Sequence, residues 1–249
     1  MFANPEKVNG VKKAEKGCFW QLGKGWGSFT MSEEFSAVRS ILNGNTFDLC
    51  VDIGANEGEY TQEIINNYPD SEVAVFEPAE KLAKRLRKRF HNLPNVTVEQ
   101  FAVSTEEGSA VLYGNATNTG LSSLTKRRLE HKGIDFSKEE IVQTIRFEDY
   151  WRHALDSRHI NFCKIDVEGH ELDVLEGFGE AINHVSAIQF EFGGCNIDTR
   201  TFFQDFWYFF RGHNFDIYRI SPMGLIHITQ YHEFDEIFTT TNYIAKRNV

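Results

Sequence analysis

Two short runs bring glycines and ionisable side chains together closely enough to form a reactive site. Val51-Asp52-Ile53-Gly54-Ala55-Asn56-Glu57-Gly58 carries an apolar stretch straight into a glycine turn, and Lys164-Ile165-Asp166-Val167-Glu168-Gly169-His170-Glu171 gathers three carboxylates, a lysine and a histidine. In the first run, Gly54 and Gly58 remove side chains from the turn, so a nucleoside can rest against bare backbone. Glu77 follows 25 residues after Asp52, where an acid at the end of the second strand accepts hydrogen bonds from both ribose hydroxyls. Three ligands compete for such a turn. A triphosphate needs G-x-x-x-x-G-K-[ST], which is not present. A nicotinamide dinucleotide needs G-x-G-x-x-G, and Asn56 stands where the second glycine belongs. Glu57 and Glu59 at the helix entrance repel a pyrophosphate but tolerate a sulfonium and an ammonium group. This chemistry points to S-adenosylmethionine. NAD stays open as the alternative, because Glu77 reads as a ribose ligand for either cofactor.

In the second run, alternation along a strand puts Asp166 and Glu168 on one side. At the carboxyl end of a central strand they would flank the point where a methyl donor meets its acceptor, with Glu191 ending the neighbouring strand. Methyl transfer is an in-line displacement, so the protein must align the acceptor and, for a hydroxyl, remove its proton. His170 is a candidate base because histidine titrates near neutral pH. Asp166 or Glu168 then orients it or takes the proton itself. Two other readings stay open: a divalent metal held by these acids through oxygen, which is not favoured, and N-capping of the next helix by Asp166 or Glu168.

The surrounding pattern supplies the elements that position these groups. Strands are predicted at Phe47–Ile53, Glu72–Phe76, Val96–Val103, Asn161–Val167, Ala187–Phe192, Phe215–Ile220 and Thr241–Lys246. Helices are predicted at Tyr60–Tyr68, Lys81–Phe90, from about Glu171 to Phe178, and Thr199–Arg211, with an irregular middle over 104–150. This alternation predicts an α/β fold with an open, mainly parallel sheet and helices on both faces, the last two strands forming an antiparallel edge. An earlier helix begins at Ser32, and residues 1–46 read as an N-terminal extension, a lid or a dimer contact, ahead of a domain over 47–249.

On these residues the sequence resembles the FkbM-type methyltransferases. The first run continues through Glu59-Tyr60-Thr61. Phe76-Glu77-Pro78, Ala102-Val103-Ser104, Ser122-Ser123-Leu124 and the run Lys164–Glu171 match the later motifs in order, over roughly residues 47–246. The resemblance implies the seven-stranded, Rossmann-like sheet of class I methyltransferases, S-adenosylmethionine as donor, and O-methylation of a hydroxyl on a sugar, glycan or secondary metabolite. It also implies that Asp52, Gly54, Asn56, Tyr60 and Glu77, with Ala55 in the same turn, fall at cofactor positions, Phe101 and Ala102 near the adenine, and Asp166 near the methionine end. Glu57 departs from the small or apolar residue common at its position. A non-catalytic S-adenosylmethionine-binding partner of another enzyme is the remaining alternative.

Composition narrows the partners. With 36 acidic and 26 basic side chains in 249 residues, the net charge is -10, which disfavours a nucleic-acid binder. The six basic residues between Lys81 and Arg89 read as a solvated helix face. The four cysteines are far apart and form no C-x-x-C pair, so they read as free thiols of a reducing compartment. There is no apolar run of membrane length and no apolar block after the early lysines, so the sequence predicts a cytoplasmic protein without membrane contact. Seven aromatics between Phe202 and Phe210 exceed one helical face and leave a subunit interface (a homodimer) or an apolar acceptor groove open.

Overall fold

Strand β1 (Leu49–Ile53) is buried at every residue, as a strand covered on both faces must be. Its alternation divides the core. Leu49, Val51 and Ile53 face one side of the sheet and Cys50 the other, each within a separate apolar cluster. The computed structural model describes residues 14–27, 31–42, 47–115 and 120–248.

After β1 come α3 (Glu59–Asn67), β2 (Glu72–Phe76), α4 (Glu80–Arg89) and β3 (Val96–Glu99). β7 (Ile160–Ile165), α6 (Glu171–Gly177) and β8 (Val185–Phe192) follow a middle segment. The chain closes with α7 (Cys195–Thr199), α8 (Phe203–Gly212), β9 (Phe215–Ser221), β10 (Gly224–Ile228) and β11 (Thr241–Arg247). The main sheet has eight strands in the order β10-β9-β11-β8-β7-β1-β2-β3. It is parallel from β8 through β3, while β11 runs antiparallel to both of its neighbours. The fold is therefore α/β with a mainly parallel sheet and antiparallel final strands. β11 lies inside the sheet, between β8 and β9, and the true edge is the β9–β10 hairpin, which sequence periodicity had not marked. Strand order reverses between β1 and β7, so their carboxyl ends open the crevice where ligands of such sheets bind.

The middle of the chain departs from expectation. The predicted strand Val96–Val103 is two strands: β3 ends at Glu99, and β4 (Ala102–Ser104) joins a second sheet of order β4-β6-β5 with β5 (Gly108–Gly114) and β6 (Lys138–Arg146). One face of this small sheet is largely solvated, so its central strand β6 reads as polar (KEEIVQTIR) and shows no continuous apolar run. Helix α5 (Phe147–Ala154) returns the chain to the main sheet through Phe147 and Trp151. The predicted helix Thr199–Arg211 is also divided, because Arg200 adopts a left-handed φ of 62° and the Asp205 carboxylate accepts from the Phe202 N–H to start α8 afresh. On α8, Phe203, Phe206 and Phe210 are fully buried, and Trp207 and Phe209 pack partly on the same cluster. Phe202 and Tyr208 stay exposed.

Ahead of β1, a helix over 14–21 (α1) and α2 (Met31–Ile41) are described. Phe35, Val38 and Ile41 of α2 are buried in the cluster that holds Tyr60, Ile64 and Phe162, so α2 is a layer of the sandwich. Phe35 makes edge contacts with Phe47 and Tyr60 at 6.4 and 6.0 Å. Truncating it empties a site closed on all sides. Phe35→Ala is expected to cost about 3–5 kcal/mol, read from the urea midpoint; a change below about 1 kcal/mol would mark α2 as a detachable appendage. No helix among the described residues is long and apolar enough to cross a membrane.

Candidate active site

The turn after β1 is set by backbone geometry. Gly54 has φ +83°, and a Cβ there would lie 1.9 Å from the Asp166 carbonyl oxygen, because β1 and the segment after β7 run side by side. A Cβ on Gly58 would meet Leu86 of α4 and Phe90 just past its end at 2.6 and 2.9 Å. Gly58 is therefore bare to let α3 and α4 pack, whereas Gly54 both permits close strand approach and lines a cavity. Glu57 and Glu59 are accounted for in the same region. Both are exposed, and they pair outward with Arg85 (3.4 Å) and Arg89 (2.5 Å) of the basic α4. The expectation that they discriminate between ligands at the turn is corrected: neither lines the cavity.

Glu77, just beyond β2, is buried, and its two carboxylate oxygens accept from the N–H groups of Asn56 and Ala79, each at 2.9 Å. It thereby ties the glycine turn to the start of α4. Burial pushes its pKa up to about 7, against the pull of those two N–H donors. A narrow, mainly apolar slot runs from this carboxylate between Pro78, Leu82, Phe101 and Ala102 on one side and Gly54 and Asp166 on the other. Of the residues expected at cofactor positions, Gly54, Asn56, Glu77, Phe101, Ala102 and Asp166 line the slot, while Asp52, Ala55 and Tyr60 lie behind it. Asp52 is buried and accepts from the Thr61 hydroxyl at 2.5 Å. The Ala55 N–H donates to Phe76, and the Tyr60 hydroxyl donates to Gln189 at 2.5 Å. Buried Lys164 lies over the Tyr60 ring and donates to Asp166 at 2.8 Å, which fixes that carboxylate beside the slot.

A second, broader cleft of about 1110 Å³ lies beyond the slot. Three residues line both cavities: Asn56, Gly120 and Glu168. Asn56 and Glu168 have left-handed φ values of 52° and 55°, which non-glycine residues adopt at a cost of about 1–3 kcal/mol and which cluster at functional sites. Gly120 also has a positive φ of 74°, and a Cβ there would come within 2.5 Å of the Asn56 side chain. Glu168 is held from both ends. Its carbonyl accepts from the Ser123 hydroxyl at 2.7 Å, and its carboxylate takes a short charge-assisted bond from Arg127. Arg127 is itself buried, with Nε 3.8 Å from Asp198. Burial, reinforced by the neighbouring Asp166 charge, raises the Glu168 pKa above the usual carboxylate range in spite of Arg127. Glu191, beside it at the end of β8, is raised by burial and by Asp166 and Glu168.

His170 opens α6 and lines the slot alone of the two cavities. Both ring nitrogens are engaged: Nδ1 with Asp173 and Nε2 with the Thr125 hydroxyl, each at 2.8 Å. Its orienting carboxylate is thus Asp173 and neither Asp166 nor Glu168. Nor do those two cap the helix: its N-cap is His170, with no side-chain cap bond, and Glu171 accepts from the N–H groups of Val167 and Gly169 ahead of it. The spacing of Asp173, three residues after His170 on a helix, was a usable signal; Arg127 and Thr125 had none. Among the described residues, Glu168, Glu191 and Cys195 bring metal-ligand atoms within 4.8 Å of one another. Two carboxylates, one already bound to arginine, and a thiol whose pKa burial raises do not fit a hard divalent cation, which takes oxygen ligands.

The strand order with an acid-anchored slot at its reversal point is that of the class I, S-adenosylmethionine-dependent methyltransferases. The family model of the methyltransferase FkbM domain matches residues 52–238, and the chain belongs to that family. It is 26% identical over 144 residues to "Methyltransferase 1" of Beauveria bassiana, covering 52% of this chain and 58% of that protein. It is 25% identical over 151 residues to the 2-O-methyltransferase NoeI of Sinorhizobium fredii, covering 57% of this chain and 62% of that protein. The matches thus span about three fifths of these relatives' length. The O-methyltransferase from Bacillus cereus in complex with SAH superposes with a TM-score of 0.46 at 11% identity, covering 99% of this chain and 93% of that one.

The raised pKa of Glu77 has a consequence for donor binding. If the Glu77 carboxylate accepts from the donor's ribose hydroxyls, as proposed below, affinity for S-adenosylhomocysteine should be full well above pH 7 and fall as pH drops through about 7. Calorimetry between pH 5.5 and 8.5 (about a tenfold loss expected across each unit below the pKa) checks this, and Glu77→Gln should abolish the dependence. An affinity flat with pH in the native protein would remove the ribose role.

Proposed function

We propose that the protein transfers the methyl group of S-adenosylmethionine to a hydroxyl of a small molecule or glycan, in the cytoplasm. The observation that carries this reading is the meeting of slot and cleft at Glu168, a carboxylate with a raised pKa that lines both cavities. When bound, S-adenosylmethionine supplies a methyl carbon activated by a sulfonium. Glu77 would hold the ribose, Phe101, Ala102 and Leu82 the base, and Asp166, fixed by Lys164, the cationic end. Asp52, Ala55 and Tyr60 would support the turn from behind. The bound donor would supply that methyl carbon with a neutral thioether as its leaving group, and Glu168 would take the proton of the acceptor hydroxyl. Arg127 holds that carboxylate, and the Ser123 hydroxyl, donating to the Glu168 main-chain carbonyl, holds its backbone. His170, bonded to Asp173 and Thr125, would fix the middle segment over the donor and, with Thr125 displaced, act as a secondary base.

The similarity to a relative named as a 2-O-methyltransferase supports oxygen as the acceptor atom. Calorimetry with S-adenosylhomocysteine and NAD, followed by a screen of hydroxylated acceptors with labelled donor, tests the reading. Binding of S-adenosylhomocysteine and label in an alkali-stable ether are expected. Binding of NAD in its place, or donor binding with no transfer to any acceptor, would overturn it.

A further inference from the structure

The cleft carries charge of both signs, with acids and Arg127 where it meets the slot and lysines elsewhere along its lining. Glu168, paired with Arg127, and Glu191 line it at the junction, while Lys16 on α1, Lys24 in the turn after it and Lys132 line it elsewhere, with Glu15 the one other acid in its lining. Lys16 is exposed on α1, its ammonium 5.3 Å from the centre of the Trp20 ring. Lys132 is exposed at the end of a 3-10 turn, Glu130–Lys132. Among the described residues, neither Lys16 nor Lys132 has a carboxylate within ion-pairing distance. Lys24 is already committed, donating to the Phe234 carbonyl at 2.7 Å. These cations run against the net charge of -10, whose field elsewhere repels anions. Lys16 also lies outside residues 52–238, in the part of the chain the family match does not reach.

Resting on the reading of this cleft as the acceptor site, we propose that the acceptor carries an anionic oxyacid group, and that Lys16 and Lys132 bind it while its hydroxyl faces Glu168. The arrangement separates the two tasks by charge. Acids near the slot suit a cationic donor and a departing proton, and would repel an anion. A carboxylate or phosphate therefore settles at the lysines and sets the direction in which the acceptor enters. Cations on two separate elements fix an anion's position better than one flexible lysine does.

The test uses the full chain loaded with S-adenosylhomocysteine and three probes: glucuronate, glucose 6-phosphate and neutral methyl glucoside. Calorimetry is expected to show at least one anionic probe binding, and binding at least about fivefold tighter than the neutral glucoside. The two anionic arms separate a carboxylate from a phosphate preference. The double variant K16E/K132E should weaken the anionic probe by at least about fivefold and leave S-adenosylhomocysteine affinity and the melting temperature unchanged. K81E on α4 serves as the charge control. Equal binding of the neutral probe, an anion affinity unmoved by K16E/K132E, or no anionic probe bound at millimolar concentration would each overturn the inference. Labelled methyl transfer to a neutral acceptor would remove this inference alone and leave O-methyl transfer standing. Failure to bind S-adenosylhomocysteine would remove both.

Discussion

Glu168→Gln is expected to slow methyl transfer by about 10²–10⁴-fold, the usual contribution of a positioned general base, while S-adenosylhomocysteine binds within about threefold of its native affinity. The amide keeps the shape and keeps an oxygen that can accept from Arg127, so the variant removes proton acceptance and little else. The pH profile supplies the second readout. The raised pKa means the carboxylate must lose a proton above the ordinary acidic range before it can act, so the native rate should fall as pH drops through that raised pKa. Glu168→Gln should lack that limb. His170→Ala is expected to cost less than Glu168→Gln, since its ring lines the donor slot only and both nitrogens are already bonded. A Glu168→Gln enzyme with native turnover, or a larger loss in His170→Ala, would transfer the base role to the histidine.

Gly54→Val should abolish donor binding and destabilise the fold together. Valine at φ +83° is strained by about 1–3 kcal/mol, and its Cβ would meet the Asp166 carbonyl at 1.9 Å, a rigid main-chain atom that cannot rotate away. Relief requires the ends of β1 and β7 to separate, which would move Asp166 and the Asn56–Glu77 bond that shape the slot. We expect no S-adenosylhomocysteine binding by calorimetry and a loss of about 3 kcal/mol or more in unfolding free energy. Gly58→Ala distinguishes the two glycines. Its new methyl meets Leu86 and Phe90, so it should cost stability with a much smaller effect on donor affinity. Donor affinity retained in Gly54→Val would show that the turn is no part of the donor site.

Much of the frame was legible because its signals are local. Glu72–Phe76 is a strand with the bounds its apolar run predicts, and the early strands and helices differ from prediction by one or two residues. The errors lie where neighbours decide. Val96–Val103 reads as one strand, yet the chain changes sheets after Glu99, and only pairing partners separate β3 from β4. β6 is polar because one face is in water, so its sequence does not advertise a strand. Glu57 and Glu59 look like ligand-facing acids at a helix entrance until α4 places Arg85 and Arg89 beside them.

By itself, the sequence determined the glycine turn after a buried strand, the acid one strand later, and the carboxylates and histidine grouped after β7. Each is specified within a few residues by backbone sterics and side-chain alternation. What each of these groups touches was set by folding. It turned Asp52 and Tyr60 inward, gave His170 to Asp173 and Thr125, and brought Arg127 across 41 residues of chain onto Glu168. The reason is physical: a charge's partner, burial and pKa depend on whatever the folded chain sets within a few ångströms, and no spacing along the sequence encodes that distance.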